Sequence, residues 1–231
     1  MKVAILGTGS VGQAVANKLL SLGHQVFVGT RDVEDTMNRT EKDGFGNPPI
    51  SFWIKEHPEV KLMTFKEAVQ EGSDLVVFAM NGQQAIHVLK TVGSEALTDK
   101  IMMDISNPLD FSNGFPPSLF VSNTDSLGEQ IQREFPSLKV VKTLNTMSNP
   151  IMVNPSALEG DHTVFMSGND EGAKAKVSEV LQSFGWPERN IFDLGDISTA
   201  RGTEMILPIW LRLYGKIQSP LFNFHINTQT K

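Results

Sequence analysis

The chain has 231 residues, 40% of them hydrophobic and 20% charged, the makeup of a globular protein with a full core. Its formal net charge of −6 argues against a nucleic-acid partner, because a surface that tracks phosphates needs an excess of Lys and Arg. The absence of cysteine excludes disulfides, thiolate metal sites and cysteine nucleophiles, and the five histidines form no H-x-x-H or H-E-x-x-H pattern.

The opening apolar run stops at Leu6, short of the ~7–15 residues of a signal-peptide core, and no run reaches the ~20 apolar residues of a membrane span. A cytoplasmic location without a membrane partner is expected. Lys2–Leu6 reads as a strand buried on both faces, followed by a helix over Ser10–Leu22 and a strand over Gln25–Gly29. The segment Asp32–Pro58 reads as irregular, broken by Gly44, Gly46, Pro48 and Pro49, with one short helix at Ile50–His57. Lys61–Met63 is a weak strand, and Thr64 caps a helix to Gln70 with Glu67 at the capping-box position. Strands at Asp74–Met80, Ile101–Ile105 and Lys139–Leu144 alternate with helices at Gln83–Val92 and Ser126–Phe135, and Asn107–Pro117 reads as a loop. Alternation with right-handed crossovers implies a Rossmann-type, doubly wound parallel α/β sheet over residues 1–150. Residues 151–231 then suit a small C-terminal α/β lobe for acceptor binding or dimerisation. It holds strands at His162–Ser167 and Ile191–Leu194 and helices at Asp170–Phe184 and Thr199–Tyr214.

Gly7-Thr8-Gly9-Ser10-Val11-Gly12 matches G-x-G-x-x-G, and a buried strand before it and a helix starting inside it make the match a dinucleotide-binding signature. Gly7 permits the tight turn, Gly9 lets backbone approach a pyrophosphate, and Gly12 lets the helix pack on the strand. An acidic residue about 20 positions on would select NAD. Here the second strand ends Gly29-Thr30-Arg31: glycine makes room, and Thr30 and Arg31 suit a 2′-phosphate, so NADP(H) is the expected cofactor. Asp32, Glu34 and Asp35 follow directly, and no second basic residue appears until Arg39. Ala79, Met80 and Asn81 should border the adenosine and nicotinamide ribose, with Ser106 and Asn107 nearer the nicotinamide.

The block Val141-Lys142-Thr143-Leu144-Asn145-Thr146 resembles the V-K-A-x-N-T block of the NADPH-dependent F-420 oxidoreductase family. The glycine loop, Gly29-Thr30-Arg31, Ser167-Gly168-Asn169-Asp170 and Asp193–Glu204, with its Ala200-Arg201 and Glu204, agree with the same family. The resemblance implies that Thr8, Gly9, Ser10, Val11, Thr30 and Arg31 hold the adenosine and phosphates. It puts Asn145 and Thr146 beside the nicotinamide and Ile197 near the acceptor ring. It implies hydride transfer with F-420 or a flavin as the small-molecule redox acceptor, which agrees with the absence of a visible acid–base constellation in the sequence. Two features depart from the family: Asp35 stands where a later basic residue is common, and Asp32–Pro58 is longer and more aromatic (Phe45, Phe52, Trp53) than a minimal connection. A second class of function is a non-catalytic sensor of the NADP(H) ratio. In it the apolar segments Thr199–Tyr214 and Leu221-Phe222-Asn223-Phe224 dock a partner; burial in a core or in a homodimer interface is the other use of those segments.

Overall fold

The computed structural model describes residues 1–42 and 46–229, so Gly44 and Phe45 of the irregular segment lie outside it. The first half runs β1 (Lys2–Leu6), α1 (Ser10–Ser21), β2 (Gln25–Thr30), α2 (Val33–Met37), α3 (Ile50–Glu56), β3 (Lys61–Thr64), α4 (Phe65–Glu71), β4 (Leu75–Phe78), α5 (Ala85–Val92), α6 (Ser94–Leu97) and β5 (Ile101–Asp104). The second half runs β6 (Leu109–Asp110), β7 (Ser118–Leu119), α7 (Leu127–Glu134), β8 (Lys139–Thr143), α8 (Asn149–Val153), β9 (Val164–Gly168), α9 (Glu171–Phe184), β10 (Ile191–Asp193), α10 (Ala200–Met205) and α11 (Leu207–Ile217).

Eight strands form one sheet in the order β10-β9-β8-β5-β4-β1-β2-β3, parallel throughout except where β9 pairs antiparallel with β8. Chain order runs outward from β1 through β2 and β3 on one side, and from β4 through β5 and β8 on the other. The crevice of such a sheet opens at the carboxyl ends of β1 and β4. Side chains of β1 alternate between the two faces: Val3 and Ile5 join the core with Val15 and Leu19 of α1, whereas Ala4 and Leu6 pack with Val69 of α4 and Leu89 of α5. Burial on both faces is why these strands read as continuous apolar runs.

After Pro150 the strands do not form a sheet of their own. They extend the first one, so the composition change there marks a reversal of strand direction, from β8 to β9. The tail folds back beside β9, where the Thr163 N–H donates to the Phe224 carbonyl at 2.8 Å. Among the described residues no helix is long and apolar enough to cross a membrane.

Local chemistry explains three differences from the sequence reading. The single helix expected at Thr199–Tyr214 is two, because Pro208 sits in the first turn of α11 and has no N–H to continue α10. Helix α2, read as irregular chain, is capped by Asp32, whose Oδ1 accepts from the Asp35 N–H at 2.8 Å. The loop Asn107–Pro117 starts a two-residue-per-strand hairpin, with Leu109 opposite Leu119. The Thr64–Glu67 capping box forms as expected.

The glycine turn is fixed by contact. A Cβ on Gly7 would lie 2.3 Å from the Ala79 carbonyl oxygen, and one on Gly12 would lie 2.3 Å from the Gly7 carbonyl oxygen. Gly12→Ala therefore lifts α1 from the turn and should destabilise the fold by about 1–3 kcal/mol, read as a fall in the urea midpoint. An unchanged midpoint would show that α1 can shift freely.

Candidate functional site

Three adjoining cavities run along the carboxyl edge of the sheet. The first, about 250 Å³, is lined by Gly7, Thr8, Gly29, Thr30, Arg31, Arg39, Phe65 and Met80. The second, about 260 Å³, shares Thr8 and Arg39 with it and adds Gly9, Ser10, Gln13 and Pro48–Ile50. The third, about 390 Å³, shares Gly9 and Ser10 and continues over Val11, Ala79, Asn81, Ser106, Asn107 and Asn145. The shared walls make one groove. Another hollow, about 440 Å³, opens at the opposite edge beside Lys2, Gln25 and Lys61, the first residues of β1, β2 and β3.

At the middle of the groove Gly9 has φ −78°, a conformation open to any residue, yet a Cβ there would meet no protein atom within 4 Å. Its missing side chain leaves room for something outside the chain. Gln13 Nε2 donates to the Thr8 carbonyl at 3.0 Å and Asn149 Nδ2 to the Ser10 carbonyl at 3.2 Å, which holds the loop in shape. Gly29 differs: a Cβ there would lie 2.8 Å from Leu6 Cδ2 and 3.1 Å from Phe65 Cδ1. The room it provides is filled by core packing, not kept for a phosphate.

At one end, Thr30 and Thr36 share a buried hydroxyl hydrogen bond at 2.7 Å, tying α2 to β2. Two of the three acidic residues after Arg31 are engaged locally: Asp32 caps α2, and Asp35 pairs with Arg39. Arg31 is exposed and makes no ion pair among the described residues. Helix α3 of the aromatic insertion also begins at this end, where Ile50 lines the second cavity. Trp53 is buried and donates from Nε1 to Asn17 Oδ1 of α1 at 2.9 Å, so α3 packs on α1 far along the groove from Asn145.

At the other end, Asn107 Nδ2 donates to the Asn145 carbonyl and Asn145 Nδ2 to Asn107 Oδ1, each at 2.9 Å. This reciprocal pair joins the loops after β5 and β8. Leu144, just before Asn145, has φ +61°, a left-handed conformation that costs a side-chain-bearing residue about 1–2 kcal/mol. Beneath the pair lies a fully buried charge cluster. Lys142 Nζ sits 2.7 Å from Asp104 Oδ2, 3.0 Å from Glu204 Oε1 and 2.7 Å from the Ser106 carbonyl oxygen. Asp104 Oδ1 accepts from the Ser106 N–H at 2.9 Å and the Ser106 hydroxyl at 2.6 Å. Asp104 Oδ2 has no polar partner besides the ammonium among the described residues. Glu204 also accepts from the Leu127 and Gly128 N–H groups that open α7, at 2.8 and 3.0 Å. Burial pushes the Lys142 ammonium toward its neutral form, but the two carboxylates outweigh it and hold its pKa above the ordinary lysine value. Beside the cluster Arg201 Nε donates to Glu129 Oε2 at 2.8 Å, which holds the Glu129 carboxyl below its usual range against the opposing effect of burial.

Of the residues singled out in the sequence, Gly7, Thr8, Gly9, Ser10, Val11, Thr30, Arg31, Ala79, Met80, Asn81, Ser106, Asn107 and Asn145 all line this groove. Gly12 lies beneath the turn. Thr146 is buried and lines none of the three cavities. Ile197, expected near an acceptor ring, is buried in the core and lines none of the three cavities; its Cδ1 would be 3.2 Å from a Cβ on Gly128 of α7. The cavity has further lining residues that the motifs did not include. Leu207 and Trp210 of α11, Leu109 and Phe111 of the hairpin, and Met147 and Met152 wall the large cavity. Trp210 stacks on Phe222 with ring centroids 5.1 Å apart, so the tail braces this wall. The available signal was the apolar character of the α11 segment.

A model of the family described as NADP oxidoreductase, coenzyme F420-dependent, matches residues 2–108. A solved structure from Arthrobacter sp. FB24, provisionally named an F420-dependent NADP-reductase, is 52% identical, with a TM-score of 0.91 over 99% of this chain and 100% of that one. The F420-dependent NADP reductase of Methanothermobacter marburgensis is 24% identical over 217 residues, 92% of each chain. The rat metalloreductase STEAP3 is 25% identical over 214 residues, 90% of this chain, but this chain spans only 38% of its length.

The cluster also bears on stability. Lys142→Met would strand two buried carboxylates and should cost about 3–5 kcal/mol, read as a lower urea midpoint. A loss under about 1 kcal/mol would show that water reaches the carboxylates and that the cluster is not dry.

Proposed function

The chain belongs to the family of coenzyme F420-dependent NADP oxidoreductases, and we propose that it passes hydride between NADP(H) and a deazaflavin (F-420) or flavin ring. The observation that carries this reading is the single groove, with the Arg31 and Arg39 guanidinium groups at one end, an open glycine at its middle and an amide pair beside an apolar wall at the other.

The donors suit the cofactor. Backbone N–H groups at the start of α1 would take the pyrophosphate, where the helix dipole favours negative charge and Gly9 leaves space. Arg31 would take the 2′-phosphate together with Arg39, which lines the same two cavities and is oriented by Asp35. Arg39 thus stands in for the basic residue that Asp35 replaces. Ser106, Asn107 and Asn145 would meet the carboxamide end, and Ala79, Met80 and Asn81 the ribose between. The bound nicotinamide supplies the hydride chemistry. The protein's part is alignment and exclusion of water, for which the walls Phe111, Met147, Leu207 and Trp210 offer flat, apolar surface to an acceptor ring. No observation favours a sensor that binds without turnover.

NADPH absorbance at a fixed enzyme concentration should fall on addition of F-420, FMN or FAD; no oxidation with any of the three would refute the proposal. Arg31→Ala and Arg39→Ala should each weaken NADPH by about tenfold to a hundredfold while NADH changes by less than about threefold. Equal losses for the two nucleotides would remove that arginine from the 2′-phosphate.

A further inference from the structure

Lys142 lies on β8 with its side chain fully buried, and its three ammonium protons face three acceptors: Asp104 of β5, Glu204 of α10 and the Ser106 carbonyl. The Ser106 unit is held at three atoms, because Asp104 also takes its N–H and its hydroxyl. Asn107 follows immediately and exchanges hydrogen bonds with Asn145, three residues beyond Lys142 on the same strand end. The floor of the large cavity is therefore referenced twice to one ammonium. The wall is referenced to it as well: Glu204 stands three residues before Leu207 and six before Trp210, both of which line the cavity. Two carboxylates against one ammonium leave an excess negative charge, which the opening N–H groups of α7 meet.

A packed apolar cluster could hold these elements together without burying three charges, and such replacements are often no less stable. What an apolar cluster lacks is direction. Three charge-assisted hydrogen bonds at 2.7–3.0 Å fix the carbonyl of Ser106 and the approach of α10 to the same point in space. We propose that Lys142, Asp104 and Glu204 form a buried strut that sets the spacing between the Asn107–Asn145 floor and the Leu207–Trp210 wall, so that Lys142 is a positioning residue for hydride transfer. The inference rests on the reading that the nicotinamide binds beside Asn107 and Asn145.

The test uses Glu204→Gln and Asp104→Asn in the full chain. Each leaves the ammonium one carboxylate, so neither strands an uncompensated charge, and the two change opposite ends of the strut. Two quantities are measured: kcat for NADPH oxidation with the acceptor that wild type uses, and the Kd of 2′,5′-ADP, which reaches only the adenosine end. We expect kcat to fall about tenfold to a hundredfold in both variants, since an ångström of misalignment costs this much, with 2′,5′-ADP affinity within about twofold of wild type. Unchanged kcat in either folded variant overturns the strut, and so does a parallel loss of 2′,5′-ADP affinity, which would report general loosening. Failure of the underlying reading looks different: 2′,5′-ADP would not compete with NADPH in the wild-type protein.

Discussion

One fully buried ammonium ties together elements from distant parts of the chain. Lys142 cannot be buried alone, since an isolated charge in a dry interior would discharge or draw water in. Its partners must therefore arrive from β5 and α10, and the excess negative charge they bring needs the start of α7. A strand, a neighbouring strand and two helices from distant parts of the chain meet at that point. The close-packed core around them fixes distance, and three short charge-assisted contacts add direction. The Asn107–Asn145 end of the groove lies directly above this corner.

The two ends of the groove are built on different principles. The glycine end depends on absence: Gly7 and Gly12 carry no side chain because backbone oxygens lie 2.3 Å from where a Cβ would be, and Gly9 carries none because the space beyond is open. The Asn107–Asn145 end depends on engagement, with paired amides, a left-handed leucine and a buried ion cluster. A diphosphate can be held by many backbone donors that share its charge. A ring that gives up hydride has to be aligned, and alignment asks for rigid support.

How much of this was legible follows from how local each interaction is. The turn, α1 and the end of β2 lie within 31 consecutive residues, so their pattern is readable directly, as is the parallel sheet from its uninterrupted apolar strands. Lys142 and Glu204 were each legible only as members of two separate blocks that resemble the family. That they meet was not visible, because 62 residues and a reversed strand separate them. The Arg201 and Glu204 of the resembling stretch dock α10 on α7 and β8, which explains the motif without any contact to a ligand. Ile197, which the resemblance implies lies near an acceptor ring, sits in a turn that packs it into the core.

The acidic run after Arg31 shows why a count of charges misleads where a count of partners does not. By sequence, Asp32, Glu34 and Asp35 set three negative groups against one arginine, and phosphate binding looks weakened. In the fold Asp32 spends its oxygen on the first turn of α2, and that helix carries Asp35 round to Arg39. The helix is short, and its only buried residue, Thr36, is hydrogen-bonded to Thr30 at the end of β2. Asp32 and Asp35 therefore build the arm that brings a second guanidinium back to the groove beside the first. Arg31 is left without a carboxylate partner among the described residues, and Arg39 is held in place by one. An exposed ion pair of this kind contributes little stability, at most about 1 kcal/mol, so its effect is on where Arg39 points.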